Sequence, residues 1–367
     1  MEKKFDFKSI IGSFQLYGDL ISVNPYGNGH INDTFEVVCN QSGTRVRYIL
    51  QRINTNVFRD PVNLMENIRR VTAHLNSRCG DSRQTLTLVP AKDGKCYTVD
   101  AEGNYFRTYL FIENAQSYDI LENSKQAYEA ARAFGKFQAD LADISGGRLA
   151  ETIKDFHNTP VRVQNLENAI KMDKCNRLKD AAAEIDFVLS RKESCGKLIA
   201  LQQQGLIPER ITHNDTKLNN VMIDDATQSG ICVIDLDTVM PGLAHYDFGD
   251  MVRTGTSPAP EDEVDLSKIY MRFEMFEALL RGYCSEAGKV LNDCELEYLP
   301  FAGALITLEI GTRFLTDYLE GDVYFKTHRP GHNLDRARSQ FQLVRSIESQ
   351  MDEMQKLLNN VRKEIKK

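Results

Sequence analysis

The 367-residue chain has no tryptophan, no two cysteines close together, no run of lysine and arginine, and no apolar stretch near the length of a membrane span. Each absence removes a class of protein. The cysteines (Cys39, Cys79, Cys96, Cys175, Cys195, Cys232, Cys284 and Cys294) are scattered rather than spaced as ligand pairs. That pattern points to free thiols in a reducing compartment, not to a zinc site or a disulfide framework. A net charge of −7 without a basic footprint argues against nucleic acid as a partner. Residues 1–8 carry no apolar signal core, so neither secretion nor membrane insertion is expected, and a cytoplasmic protein is. What remains, 42% hydrophobic and 26% charged, is ordinary for a globular chain and long enough for two cores.

The pattern changes character near residue 114. Before it, residues 1–20 read as a short helix leading into a strand. Alternating β-branched and aromatic residues mark strands at 21–23, 34–38, 46–50, 86–89, 96–99 and 105–112. Asp60-Pro61 opens a helix, with an acceptor side chain at the N-cap and proline in the first turn; Leu64, Ile68, Val71 and Leu75 recur along its inner face. Beyond 114 the periodicity is helical almost throughout: 123–142, 162–173, 178–204, 244–254, 265–285, 293–319 and 334–364. The expected fold class is α+β and bilobal, a small β-rich lobe over residues 1–113 and a larger, mostly helical lobe over 114–367.

The chemistry is concentrated early in the second lobe. The stretch 211–220, Ile-Thr-His-Asn-Asp-Thr-Lys-Leu-Asn-Asn, is followed by Asp235 at the end of a short apolar strand. Singly, His213, Asp215 and Asn220 have ordinary explanations as a satisfied core histidine and loop-capping side chains. Together they supply one carboxylate to orient a hydroxyl, plus an amide and a second carboxylate with the hard oxygens that suit Mg²⁺. Phosphoryl transfer from a nucleotide needs that inventory, because its loose transition state asks for positioning and charge neutralisation. Asp215 would accept the proton of the attacking hydroxyl, and His213 would hold the loop by hydrogen bonding. Lys217 is placed either to neutralise the phosphoryl group or simply to be solvated. Upstream, Tyr26-Gly27-Asn28-Gly29-His30 is a glycine-bearing turn where N–H groups can approach phosphate oxygens, or an ordinary hairpin.

Three other patterns are weaker. Cys195-Gly-Lys-Leu and Ala287-Gly-Lys-Val lack the remainder of a phosphate-binding P-loop, and Asp235-Leu-Asp237 lacks the glycine-rich turn of a nucleotide-sugar transferase. Asp247-Phe-Gly spells a protein-kinase metal motif but stands twelve residues past Asp235 at a helix start, where Asp247 would brace the catalytic loop. Arg313, among Ile310, Phe314 and Leu315, would be costly to bury unpaired and so should face a carboxylate or a ligand.

These motifs resemble the aminoglycoside phosphotransferase/choline kinase superfamily, whose fold is the bilobal one of protein kinases. More narrowly, Pro25-Tyr-Gly-x-Gly-His-Ile-Asn, Tyr48-Ile-Leu-Gln, Ile234-Asp-Leu-Asp-Thr-x-Met-Pro-Gly and Arg313-Phe-Leu-x-Asp-Tyr-Leu-x-Gly-Asp-x-Tyr-Phe are similar to the N-acetylhexosamine 1-kinases. The resemblance runs from about residue 20 to residue 345. It implies Asp215 as catalytic base with Lys217 beside it, and Asn220 and Asp235 as magnesium ligands. Gly27, Gly29, Arg47 and the hinge Phe111, Ile112, Glu113 and Asn114 would meet ATP. His30, Asp237, Arg313 and Tyr324 would surround the sugar. ATP, Mg²⁺ and a free N-acetylhexosamine phosphorylated at C1 are the implied reactants, with no obligate protein partner. One departure stands out: Gln51 occupies the third-strand position where a phosphate-binding lysine is usual, which leaves Arg47 or Arg52 to neutralise phosphate and frees Glu66 from the customary ion pair. Another small-molecule kinase of this fold, or a nucleotide-binding pseudokinase, are the alternatives.

Overall fold

The computed structural model describes residues 5–27, 31–118 and 123–365. Strands β1 (Asp19–Pro25), β2 (Asp33–Gln41), β3 (Thr44–Arg52), β4 (Leu88–Val89), β5 (Thr98–Val99) and β6 (Tyr105–Leu110) build one antiparallel sheet in the order β1-β2-β3-β6-β4, with β5 also on β6. Period-two alternation gives it two distinct faces. Val37, Cys39, Tyr48, Leu50 and Phe106 are buried on one face against Ile10, Ile11 and Phe14 of the amino-terminal segment. On the other face the register sets Thr34 beside Gln51, Gln51 beside Arg107, and Ile49 beside Tyr109, and this face turns toward the second lobe.

After Leu110 the chain crosses over. Strand β7 (Ala115–Gln116) pairs with β9 (Val221–Asp224), which also pairs with β10 (Gly230–Val233). We take the lobe boundary to lie in this crossing. The second lobe holds a further ribbon, β8 (Arg210–Thr212) with β11 (Met240–Gly242). The helix opened by Asp60-Pro61 runs Pro61–Asn76; Asp60 accepts a hydrogen bond from the Asn63 N–H (3.0 Å), and Leu64, Ile68, Val71 and Leu75 are buried as their spacing predicts. Its Asn67 reaches across the lobes, donating to Ala150 O (2.8 Å) and Val239 O (3.2 Å).

The second lobe is built on the Ser124–Asp140 and Phe273–Ala287 helices. Two glycines let them touch backbone to backbone: a Cβ on Gly135 would lie 2.4 Å from Tyr283 O, and one on Gly282 only 2.2 Å from Tyr128 O. Four of the expected helices are broken. Proline cannot sit inside a helix, so Pro300 starts Leu299–Glu320 afresh after Asp293–Glu297. The 178–204 stretch splits into short helices ending at Leu189, Cys195 and Gln203, the 265–285 stretch into a turn at Leu266–Lys268 and Phe273–Ala287, and the last helix breaks at Gln350, whose amide donates to Met271 O (2.9 Å). All eight cysteines are free. Among the described residues no helix is long and apolar enough to cross a membrane.

Candidate active site

The loop after β8 is held from three directions. Both carboxylate oxygens of Asp247, at the start of the Ala244–Thr256 helix, accept backbone N–H groups, from His213 (2.9 Å) and Asn214 (2.7 Å), and the Thr216 hydroxyl donates to Asp247 O (2.5 Å). Asp247 is thus the brace its position suggested. Burial pushes its pKa up to about 6 against the pull of those hydrogen bonds. His213, fully buried beside Phe134 and Phe137, accepts from the Asp215 N–H at Nδ1 (3.3 Å) and donates from Nε2 to Ile234 O (2.9 Å). These partners assign the neutral Nε2–H tautomer and tie the base loop to the strand end that carries Asp235. Asn214 and Asp235 both take left-handed backbone angles, φ +65° and +59°, which Asn and Asp tolerate better than most residues.

Asp215, half-buried, has Lys217 Nζ at 3.3 Å. Burial acts to raise its pKa, but the Lys217 ammonium together with the smaller pulls of the other groups around it holds the carboxyl below its ordinary range. The Asn220 amide nitrogen is committed to Asp215 O (2.8 Å), so the oxygen Oδ1 is what it can offer a cation. Asp235 opens onto the cleft but is ringed by protein; desolvation, then the nearby Asp237 and Asp215 charges, raise its pKa to about 6. Among the described residues no group of three or more His, Cys, Asp or Glu could cage a metal. One amide oxygen, one carboxylate and unbalanced negative charge fit Mg²⁺, which binds through few protein oxygens plus phosphates.

Beside Gln51 lies a buried arginine. Arg107, in the middle of β6 and 1% exposed, donates from Nε to Gln51 Oε1 (2.9 Å) and from its terminal nitrogens to both oxygens of Asp237, one of them at 3.0 Å. Gln51 in turn donates to Thr34 (3.1 Å), and Asn32 donates to Asp237. Burial disfavours the Arg107 charge, but Asp237 keeps it protonated. Arg107 and Asp237 thus form a buried pair between the two lobes. Glu66 is exposed and bound to Arg69 (2.6 Å).

Three expectations change accordingly. Asp237, expected at the sugar, is 1% exposed with both oxygens engaged by Arg107 and Asn32, so it is not a free acceptor facing the cleft. Arg47, offered as a phosphate neutraliser, stands four residues from Gln51 toward the hinge, ~13 Å by strand rise. Its guanidinium lies 3.7 Å over the Phe111 ring and pairs with Glu36 (3.1 Å) and Glu113. Arg52 pairs with Asp33 (2.6 Å). Arg107 carries no motif. Its one signal is a lone arginine inside a strand that otherwise reads as buried, the same cue that singles out Arg313.

At the hinge, Phe111 N–H is bonded to Arg47 O (3.2 Å) and Asn114 O to the Asp225 N–H (3.0 Å). Ile112 and Glu113 lie between these two anchors, outside any strand or helix. Gly27 has a left-handed φ of +73° at the end of β1; Gly29 and His30 lie outside the described residues.

A separate pocket of about 240 Å³ is lined by Phe156, Arg162, Arg313, Glu320, Tyr324 and Phe325, among others. The Arg313 guanidinium sits 5.4–5.8 Å from the Phe156, Tyr324 and Phe325 ring centres and, among the described residues, pairs with no carboxylate. The buried Asp317 shapes this wall, accepting the backbone N–H groups of Val323 (2.9 Å), Tyr324 (2.8 Å) and Phe325 (2.9 Å). A second hollow shares Ile153 and Phe156 with it and reaches Asn214, next to Asp215.

The model of the phosphotransferase enzyme family matches residues 22–285. Among solved structures, a microcompartment-associated aminopropanol kinase is 17% identical, with 94% of this chain and 96% of that one covered at a TM-score of 0.56. A spectinomycin phosphotransferase solved with ADP and spectinomycin is 15% identical over 92% and 95% of the chains at 0.53. The choline kinase of Streptococcus pneumoniae is 13% identical over 90% and 94% at 0.52. Identities this low establish the shared kinase-like fold alone, whereas the family match spans most of the sequence and includes the whole of residues 211–235: the chain belongs to the phosphotransferase enzyme family.

Proposed function

We propose that the protein is an ATP- and Mg²⁺-dependent kinase that phosphorylates the anomeric hydroxyl of N-acetylglucosamine and N-acetylgalactosamine. The observation that carries the acceptor class is the Arg313 pocket. The structural relatives named above act on aminopropanol, spectinomycin and choline, of which choline is a quaternary ammonium that aromatic cages attract. Here the aromatic cluster already holds a cation of its own, with Arg162 beside it, and a second cation would be repelled. At about 240 Å³ the pocket is also smaller than the ~300–1,000 Å³ usual for drug-sized ligands, which favours one sugar ring over a multi-ring aminoglycoside. Guanidinium and phenol donors suit ring hydroxyls and an acetamido carbonyl, and the resemblance of the Arg313–Tyr324 motif to N-acetylhexosamine 1-kinases points the same way.

In this reading ATP lies along the cleft face of the first lobe, its adenine against the Ile112–Glu113 backbone. Asn220 and Asp235 would hold Mg²⁺, which when bound neutralises charge on the phosphate oxygens. Asp215 orients the C1 hydroxyl and takes its proton as that oxygen bonds to the γ-phosphorus and the bond from phosphorus to the bridging oxygen breaks, releasing ADP. A carboxylate held this acidic is a weak base, which is adequate because the anomeric hydroxyl is the most acidic on the ring. Lys217 offsets the charge beside it. An ADP-release assay across N-acetylhexosamines, hexoses, choline, ethanolamine and kanamycin tests the reading, with turnover expected for the acetamido sugars and not for the amines. Phosphorus NMR should show coupling to the anomeric proton. Turnover confined to a cationic acceptor, or a product phosphorylated at C6, overturns it.

A further inference from the structure

His157 belongs to no motif, yet it is buried between the acceptor pocket and the base. Its Nδ1 lies 2.8 Å from Glu309 Oε1 and its Nε2 2.9 Å from Asn214 O. A carbonyl oxygen cannot donate, so the Nε2 bond requires a proton on that nitrogen. Glu309, fully buried, accepts the Thr159 hydroxyl on its other oxygen (2.6 Å), which fixes the carboxylate that orients the ring. Phe156 packs edge-on at 4.7 Å and Tyr246 at 5.1 Å, so the imidazole has one place to sit.

Both ends of this link matter. Glu309 lies one turn before Arg313 on the Leu299–Glu320 helix, and Phe156, next to His157, lines the same pocket as Arg313. At the other end, the accepting carbonyl belongs to the peptide bond that joins Asn214 to Asp215. Every other polar group of Asn214 is already held: its N–H by Asp247 and its side chain by Thr212 and Thr238. The His157 proton completes the clamp from the acceptor side.

We propose that His157 is a positioning residue, which transmits the placement of the acceptor-pocket helix to the peptide plane preceding Asp215 and so sets the reach of that carboxylate toward the acceptor hydroxyl. The idea rests on Asp215 being the base. An asparagine amide at this position would occupy roughly the place of Nδ1, and a glutamine amide that of Nε2. His157→Asn thus keeps the Glu309 contact and loses Asn214, whereas His157→Gln keeps the Asn214 donor. The test is steady-state kinetics of both, with kcat referred to nucleotide-binding sites counted by titration and Asp215→Asn run in parallel. H157N should lose about 10- to 100-fold in kcat, the scale of a small misplacement of a reacting group, with the KM for ATP unchanged. H157Q should recover most of that loss. Equal losses in the two variants, or wild-type kcat in H157N, overturn the proposal. If D215N itself keeps turnover, the base assignment has failed; if D215N is inactive while H157N is unimpaired, only the role of His157 has.

Discussion

The Arg107–Asp237 pair offers the sharpest test of how the two lobes are joined. Each residue is 1% exposed, so neither charge can be rehydrated if its partner is removed. Breaking a buried pair by removing one member costs about 3–5 kcal/mol, most of it the penalty of the orphaned charge. At about 2 °C per kcal/mol for a chain of this size, Arg107→Met or Asp237→Leu should lower the melting temperature by roughly 6–10 °C. Replacing both by apolar residues removes the orphan, and R107M/D237L should melt well above either single variant, a coupling of about 2 kcal/mol or more in the double-mutant cycle. Activity should not follow stability. Asp237 anchors the turn that begins at Asp235, so the double variant should remain slow even when folded. Thermal unfolding by circular dichroism without nucleotide measures the cycle. Single variants melting within a degree or two of wild type, or strictly additive losses, would refute the claim that this pair is a desolvated, mutually dependent link.

Other expectations concern the chemistry more directly. Asp215→Asn should bind ATP with unchanged affinity by calorimetry while losing several orders of magnitude in turnover, since positioning and electrostatics carry phosphoryl transfer. Asp235 and Asp247 have pKa values raised to about 6 from an ordinary 3.8, so the folded state binds more protons than the unfolded one between those values. Stability without metal should therefore fall as pH rises from about 4 to 6. Mg²⁺ with a nucleotide should raise the melting temperature more at pH 7.5 than at pH 5, where Asp235 is largely protonated; an equal shift at both would disprove that Asp235 is a ligand. Asp317→Ala leaves three backbone N–H groups without their acceptor and the Asn333 amide with Asp322 alone, at a cost on the order of 3 kcal/mol. It should raise the acceptor KM about tenfold without moving the KM for ATP.

Local signals were readable where local physics decides. The Asp60 cap with Pro61 and the alternating strands β2 and β3 follow from nearest-neighbour chemistry, and the structure sets them where the pattern does; the loop from His213 to Asn220 was legible as a motif, although distant Asp247 holds its shape. The break before Leu299, which the 293–319 expectation ran through, was legible in Pro300, because proline inside a helix removes a hydrogen bond and clashes with the preceding turn. The break at Gln350 was not: nothing nearby in sequence requires it, and its amide is bonded to Met271, 79 residues away. Arg107 and Asp237 stand 130 residues apart, and His157 and Glu309 stand 152 apart. Alternation can say which face Arg107 shares with Gln51, but only the packing of one lobe on the other chooses its partner. The same reason misplaces Arg47: strand periodicity puts it on the cleft face without saying at which end of the cleft it lies.

Four aspartates crowd this cleft, and the way each is answered separates their roles better than any motif does. Asp247 is answered by two backbone N–H groups, Asp237 by a buried guanidinium, and Asp215 by the ammonium of Lys217. These three are complete without a ligand. Asp235 differs: among the described residues it has neither an ion pair nor a hydrogen-bond donor, and its neighbours Asp237 and Asp215 repel its charge. A carboxylate kept in that state, on a left-handed backbone, is held in its charged form at a cost that a cation would offset. Under the proposed function the literal Asp-Phe-Gly motif therefore marks the bracing aspartate and not the metal ligand. Where protein donors have already neutralised a carboxylate there is little left for a metal to gain, which is why the proposed function puts the cation at Asp235, beside the Asn220 oxygen.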